Sequence, residues 1–246
     1  MFLTDLKALS RSLRIYRFNH AHCETLTQLY RPFVQTGSLV FDIGAHAGDR
    51  TACFRNLGAR VISVEPQTTF YWFLRLTNLL RPRVTVLPNV VSETNGEKIL
   101  RINSRNPTVS TLSDSFVKAA NGGVAEWEGQ VWDRSLKVQS ITLDELIKRY
   151  GTPDFIKIDV EGAEHDVLCG LSQTVPALSF EFTMIQRDLT MDCLKRCEEL
   201  GLKYFNVSLG ESHALSFDSW IQAPEMAKFL STLPNEANSG DVYARV

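Results

Sequence analysis

The sequence contains no apolar run long enough to cross a bilayer, and its first eighteen residues lack the continuous apolar stretch of a secretory leader. Integral membrane association is therefore not expected. Basic excess is missing too: 26 lysines and arginines face 28 aspartates and glutamates, for a formal charge of −2. That balance creates no field to draw in nucleic acid. The five cysteines are an odd number without dense spacing, which excludes a disulfide-framed scaffold and fits a reducing compartment. The expected location is cytoplasmic.

The residues that are present describe an ordinary globular chain. At 246 residues, 44% hydrophobic and 22% charged, it can bury a full core as one large domain. The organisation expected is a helical cap over 1–35 and a domain over 36–246, with an irregular insertion at about 92–139 marked by Asn-Gly, Gly-Gly and Asn-Pro breakers. In the cap, Leu6, Leu9, Leu13 and Tyr16 recur at helical spacing, which predicts a helix docked on the domain rather than a membrane-surface or transit segment. His20, His22 and Cys23 cluster nearby, but a metal site needs further ligands that the local sequence does not supply.

Ser38 to Glu65 carries the clearest signal. Leu39 to Phe41 reads as a strand buried on both faces, followed by Asp42, Gly44 and Gly48, then a helix over Thr51 to Leu57. The next strand, Arg60 to Val64, ends at Glu65, where an acid can accept two ribose hydroxyls. Asn89, at the end of a third strand over Val84 to Leu87, falls where an adenine would sit. A nicotinamide dinucleotide and S-adenosylmethionine both suit an acid so placed. The turn reads Gly44-Ala45-His46-Ala47-Gly48, without the middle glycine that lets a pyrophosphate approach a helix. A nucleoside with an amino-acid tail fits better, because a carboxylate such as Asp42 can take its ammonium.

A second signal lies downstream. Asp154 to Val160 reads as a strand, Glu161-Gly162 as a turn, Ala163 to Leu171 as a helix, and Ala177 to Phe182 as a further buried strand carrying Glu181. Asp159, Glu161, Glu164, His165 and Glu181 thereby gather at the sheet edge where α/β folds bind ligands. Two chemistries suit the group: His165 or a carboxylate as general base, or a divalent cation such as Mg²⁺ held by Asp159, Glu161 and Glu181. Ser110, Thr111, Asp114, Trp127 and Trp132 in the insertion, and Trp220 beyond it, are candidates for an acceptor pocket.

The blocks DIGAHAGDRT, ISVEP, ITLDEL, FIKIDVEGAEHDVLCGL and SFEF together resemble the FkbM family of S-adenosylmethionine-dependent methyltransferases, over roughly 38–182 with a tail match at GDVYARV. The resemblance implies a class I, Rossmann-like α/β fold: a mostly parallel seven-stranded sheet with helices on both faces and an antiparallel C-terminal strand. It implies S-adenosyl-L-methionine as cofactor and O-methylation of a sugar, polyketide or other small-molecule or glycan acceptor. The cofactor-binding set is then Asp42, Gly44, His46, Gly48, Thr51, Glu65 and Asn89, and the catalytic set is Asp159, His165 and Glu181. The alternatives are an NAD-dependent oxidoreductase with an altered loop and a non-catalytic S-adenosylmethionine-binding module.

Overall fold

Alternation along the strands decides the layers. In β1 (Leu39–Ile43), Val40 packs on one side of the sheet, while Phe41 and Ile43 pack on the other. Both sets are buried, so helices cover both faces. The computed structural model describes residues 2–122 and 127–246; of the breakers in the insertion, Gly123 lies outside them. Seven strands form the main sheet in the order β3-β2-β1-β7-β8-β10-β9. Besides β1 these are β2 (Arg60–Val64), β3 (Val84–Leu87), β7 (Phe155–Ile158), β8 (Ala177–Thr183), β9 (Tyr204–Leu209) and β10 (Ser239–Arg245). All neighbours from β3 to β8 pair in parallel, and β10 lies antiparallel to both β8 and β9. The antiparallel C-terminal strand expected from the resemblance is β10; β9 runs in the direction of the others.

One face carries α6 (Leu143–Tyr150), α7 (Glu164–Cys169), α8 (Arg187–Glu199) and α9 (Ala223–Thr232), which pack Leu146, Leu168, Leu194 and Met226 into the larger core. On the other, α2 (His20–Tyr30) and α3 (Asp49–Asn56) bury Leu26, Tyr30 and Phe54 against Val40, Val61, Phe155 and Tyr243. Tyr30 stacks edge-on against Phe54 with ring centroids 4.7 Å apart. The cap segment thus shares a core with the sheet. Its first helix, α1 (Phe2–Ser12), does not run on through Tyr16 as the spacing predicts but passes into a π-helical turn over Leu13–Arg17. Leu9 and Leu13 rest on Ala47 and Phe70, and Asp5 pairs with Arg134 at 2.6 Å. α4 (Thr68–Thr77) follows β2 and buries Phe70 and Leu74. Among the described residues, no helix is long and apolar enough to cross a membrane.

The insertion is more regular than its breakers suggest. β4 (Asn89–Val91), β5 (Gly96–Ile102) and β6 (Arg134–Ile141) form a second sheet in the order β4-β6-β5, and α5 (Asp114–Ala120) packs beside it. The sheet begins at Asn89, ahead of the boundary at 92, because β4 leaves the end of β3 and pairs in parallel with β6. All five cysteines are free.

Strand order reverses at β1, whose neighbours β2 and β7 leave in opposite directions, and a crevice opens at their carboxyl ends. Gly44 sits there at φ +79°, and a Cβ on it would lie 1.8 Å from the carbonyl oxygen of Asp159. Gly44→Ala is expected to lower stability by at least about 2 kcal/mol, combining left-handed strain with overlap onto backbone. Gly37→Ala, at φ +94° with nothing within 4 Å, meets strain alone and should cost less. Urea denaturation of the two variants checks the order; equal losses would remove the close approach as a constraint.

Candidate active site

The turn after β1 is wound so tightly that its main chain forms the floor of the crevice. Gly44 and Ala45 both donate their N–H to the Val64 carbonyl, at 3.0 and 3.1 Å, and Gly48 donates to Ala45 at 2.8 Å. His46 and Gly48 take left-handed backbone, at φ 43° and 76°. Glu65, 2% exposed, fixes the turn from the next strand: Oε2 accepts from the His46 N–H at 2.8 Å and Oε1 from the Gln67 N–H at 2.7 Å. Each oxygen keeps a lone pair. Burial pushes the Glu65 carboxyl up to about 7, against the pull of those two N–H groups.

Of the residues expected to bind cofactor, Gly44, His46, Glu65 and Asn89 line the cavity. The His46 ring stacks on Phe70 at 4.3 Å, its Nε2 lies 3.4 Å from Ser12 Oγ, and burial lowers it to about 4, so it is a neutral imidazole. Asn89 also donates to the Gln139 carbonyl at 3.1 Å. Asp42, Gly48 and Thr51 are not on the cavity surface, which corrects their expected place as direct contacts. Thr51 Oγ1 lies 2.5 Å from Asp42 Oδ2 and donates to it, and a Cβ on Gly48 would meet Leu74 at 2.2 Å. These residues shape the turn from behind. Asp42 Oδ1 remains buried without a hydrogen-bond partner.

Facing the turn is the acidic group. Carboxylate oxygens of Asp159, Glu161 and Glu181 lie within 4.8 Å of one another. Lys157, 1% exposed on β7, forms an ion pair with Asp159. Burial works to raise the Asp159 carboxyl, but the charges of Lys157 and Arg50 outweigh it and hold Asp159 below the usual range. Glu161 and Glu181 are pushed well above theirs, first by burial and then by the Asp159 charge. Glu181 Oε2 is buried without a partner among the described residues. Glu161 stands at φ 56° on a turn braced by Glu164, whose carboxylate accepts from the N–H groups of Val160 and Gly162 at 3.0–3.2 Å. That bracing is the role of Glu164, and it keeps the carboxylate inside its own turn.

His165 does not join the group. The buried face of α7 and its continuation runs through Glu164, Val167, Leu168 and Leu171, and the next position around the helix carries His165 away from the cavity to lie 3.7 Å from Cys169 Sγ. Of the insertion residues expected at an acceptor pocket, Ser110 and Trp127 line the cavity, beside Leu100, Thr108 and Leu112. Thr111 instead accepts from the Ser113 N–H, Asp114 pairs with Arg101 at 3.0 Å, and Trp132 donates to the Val109 carbonyl at 2.8 Å. Trp220 lies under Arg245, 4.2 Å from its ring centre. Sequence reasoning missed Tyr16, Arg50, Lys157, Glu211 and Asp241, all on the cavity wall. Lys157 carried a legible signal, since a lysine inside an apolar strand must find a partner.

Among the described residues, seven carboxyl residues line the cavity, Asp49, Glu65, Asp159, Glu161, Glu181, Glu211 and Asp241, against two cations, Arg50 and Lys157. No curated protein matches the chain. Among solved structures, a precorrin-6y C5,15-methyltransferase from Geobacter metallireducens is similar at 13% identity, covering 92% of this chain and 88% of that one with a TM-score of 0.44. An S-adenosylmethionine-dependent O-methyltransferase from Thermotoga maritima gives 12%, 96%, 70% and 0.43. Fibrillarin from Aeropyrum pernix, solved with bound S-adenosyl-L-methionine, gives 10%, 86%, 68% and 0.45. The model of the methyltransferase FkbM domain matches residues 42–223, from the first acid of the glycine turn to the start of α9 and so most of the chain. The chain belongs to that methyltransferase family.

Proposed function

We propose that the protein is an S-adenosylmethionine-dependent O-methyltransferase acting on a hydroxyl of a sugar, polyketide or related small molecule. The observation that carries the reading is the lining of the cavity: among the described residues seven carboxyl residues stand against two cations. Of the carboxyls, Asp49, Asp159 and Glu211 are held ionised by neighbouring charges and hydrogen bonds, while burial favours the protonated forms of Glu161 and Glu181. A sulfonium cofactor with an ammonium tail is attracted by such a lining, whereas a dinucleotide brings a pyrophosphate dianion into it. The residues fit the cofactor. Glu65 keeps one lone pair on each oxygen for the ribose hydroxyls.

When bound, the cofactor supplies an electrophilic methyl group; the chain must orient the acceptor and take its proton. Orientation supplies much of the rate of an in-line displacement. Glu181 is the base in this reading: it lines the cavity, one oxygen is unpartnered, and burial beside Asp159 raises its affinity for a proton. Asp159, kept ionised by Lys157, lies within reach of the same acceptor. A Mg²⁺ ion on Asp159, Glu161 and Glu181 fits less well, because the Lys157 ammonium already occupies the charge-neutralising position at Asp159.

Three measurements test this. S-adenosylmethionine should raise the melting temperature and NAD should not, and Glu65→Gln should weaken cofactor affinity by about tenfold or more, the worth of a charge-assisted hydrogen bond. Unchanged affinity would remove the ribose assignment. Glu181→Gln should lower turnover by about 10²–10⁴-fold, the usual worth of a general base, with Asp159→Asn also losing turnover while cofactor binding is retained. Because the base acts unprotonated and its pKa is raised, wild-type turnover should climb as pH rises through that pKa, and Glu181→Gln should abolish the climb. An unaltered profile would rule out Glu181. Turnover should not change when Mg²⁺ is withdrawn and restored; a requirement for it would make the acidic group a metal site.

A further inference from the structure

His22 on α2 and His213, just beyond β9, are 191 positions apart in sequence, yet His22 Nδ1 lies 3.2 Å from His213 Nε2. Glu211 Oε2 lies 3.0 Å from the same His213 nitrogen. On its far side, His22 Nε2 lies 2.9 Å from Asp49 Oδ2. A ring nitrogen carries at most one N–H, so His213 Nε2 faces two partner atoms, His22 Nδ1 and Glu211 Oε2, with at most one proton between them. Three atoms that can each ligate a cation converge on one point.

We infer that His22, Glu211 and His213 form a binding site for a divalent transition-metal ion of the zinc class. Two atoms each 2.0–2.1 Å from a tetrahedral ion stand about 3.3 Å apart, close to the two separations at His213 Nε2, and all three atoms lie within 4.8 Å of one another. Two imidazoles and one carboxylate select zinc-like ions over magnesium or calcium, which prefer oxygen donors throughout. A second observation points the same way: a carboxylate that holds the distal N–H of a ligand imidazole is the usual outer partner of a metal-bound histidine, and Asp49 stands in that position. His213 is 5% exposed and held at left-handed φ 48°, a conformation that costs energy in a residue with a Cβ and so asks for a compensating role.

The ion would join α2 of the cap to the turn after β9. Asp49, Gly210 and Glu211 all line the cavity, so this joint closes one wall of it. Two histidines and a carboxylate also leave a fourth position open to water or a ligand oxygen.

The test uses the untagged full-length chain, stripped with chelator and titrated calorimetrically with Zn²⁺, and with Co²⁺ under visible spectroscopy. The expected result is one equivalent of Zn²⁺ bound at micromolar concentration or tighter, with a four-coordinate Co²⁺ spectrum that Zn²⁺ displaces. Zn²⁺ should raise the melting temperature of the wild type and not that of His22→Gln or His213→Gln, each of which should lose the stoichiometric site. Glu211 is two-thirds exposed, so Glu211→Gln leaves the fold intact and should weaken binding by at least about tenfold, the low end of what loss of even an outer partner of a metal ligand costs. Absence of stoichiometric binding, or binding undiminished in all three variants, overturns the inference.

Discussion

The turn after β1 and the turn after β7 approach so closely that only a residue without a Cβ can stand at Gly44. The contact is main chain on main chain, extended by a 3.0 Å hydrogen bond from the Asp159 N–H to the Ile43 carbonyl. It brings a glycine turn and an acidic turn, more than a hundred residues apart in sequence, to one point on the sheet edge. The remaining strands set its height: β2 delivers Glu65 beside the first turn, and β8 delivers Glu181 beside the second. Neither turn alone makes a site.

Such convergence works against stability. Asp159, Glu161 and Glu181 repel one another in a partly buried space, and their protonated forms are favoured in two of the three. Lys157 and Arg50 hold the third ionised. The local strain at His46 and Glu161, both left-handed without being glycine, falls on the same two turns. Concentrated strain and shifted carboxyls in one crevice are what a site selected for chemistry shows, since packing alone would have removed both.

Much of this was legible in the sequence because it lies in short segments. The apolar runs of β1 and β7 and the glycines and acids that follow them are local patterns, and the blocks they form carried the family resemblance. The sequence also held the means to place His165 outside, since Glu164, Val167, Leu168 and Leu171 mark the buried stripe of α7 and leave the intervening position facing away. What could not be read depends on distance. The pairing of β4 with β6 spans about fifty residues of breakers, so the second sheet looked like loop. His22 gains partners only when α2 packs beside the turn after β9, and Tyr16 reaches the cavity only because the helix before it ends in a π-helical turn. Asp42 on β1 and Thr51 on α3 flank the glycine turn but bond to each other behind it, a distinction that periodicity does not carry.

The central claim is that the crevice closed by Gly44 and Asp159 holds S-adenosylmethionine with its reactive end toward the acids. A crystal structure of the protein with S-adenosylhomocysteine tests it most directly. The ribose hydroxyls should be found on Glu65, with the sulfur facing the space between Asp159 and Glu181. A ligand bound elsewhere, or in this crevice with its sulfur turned away from those two residues, would contradict the account.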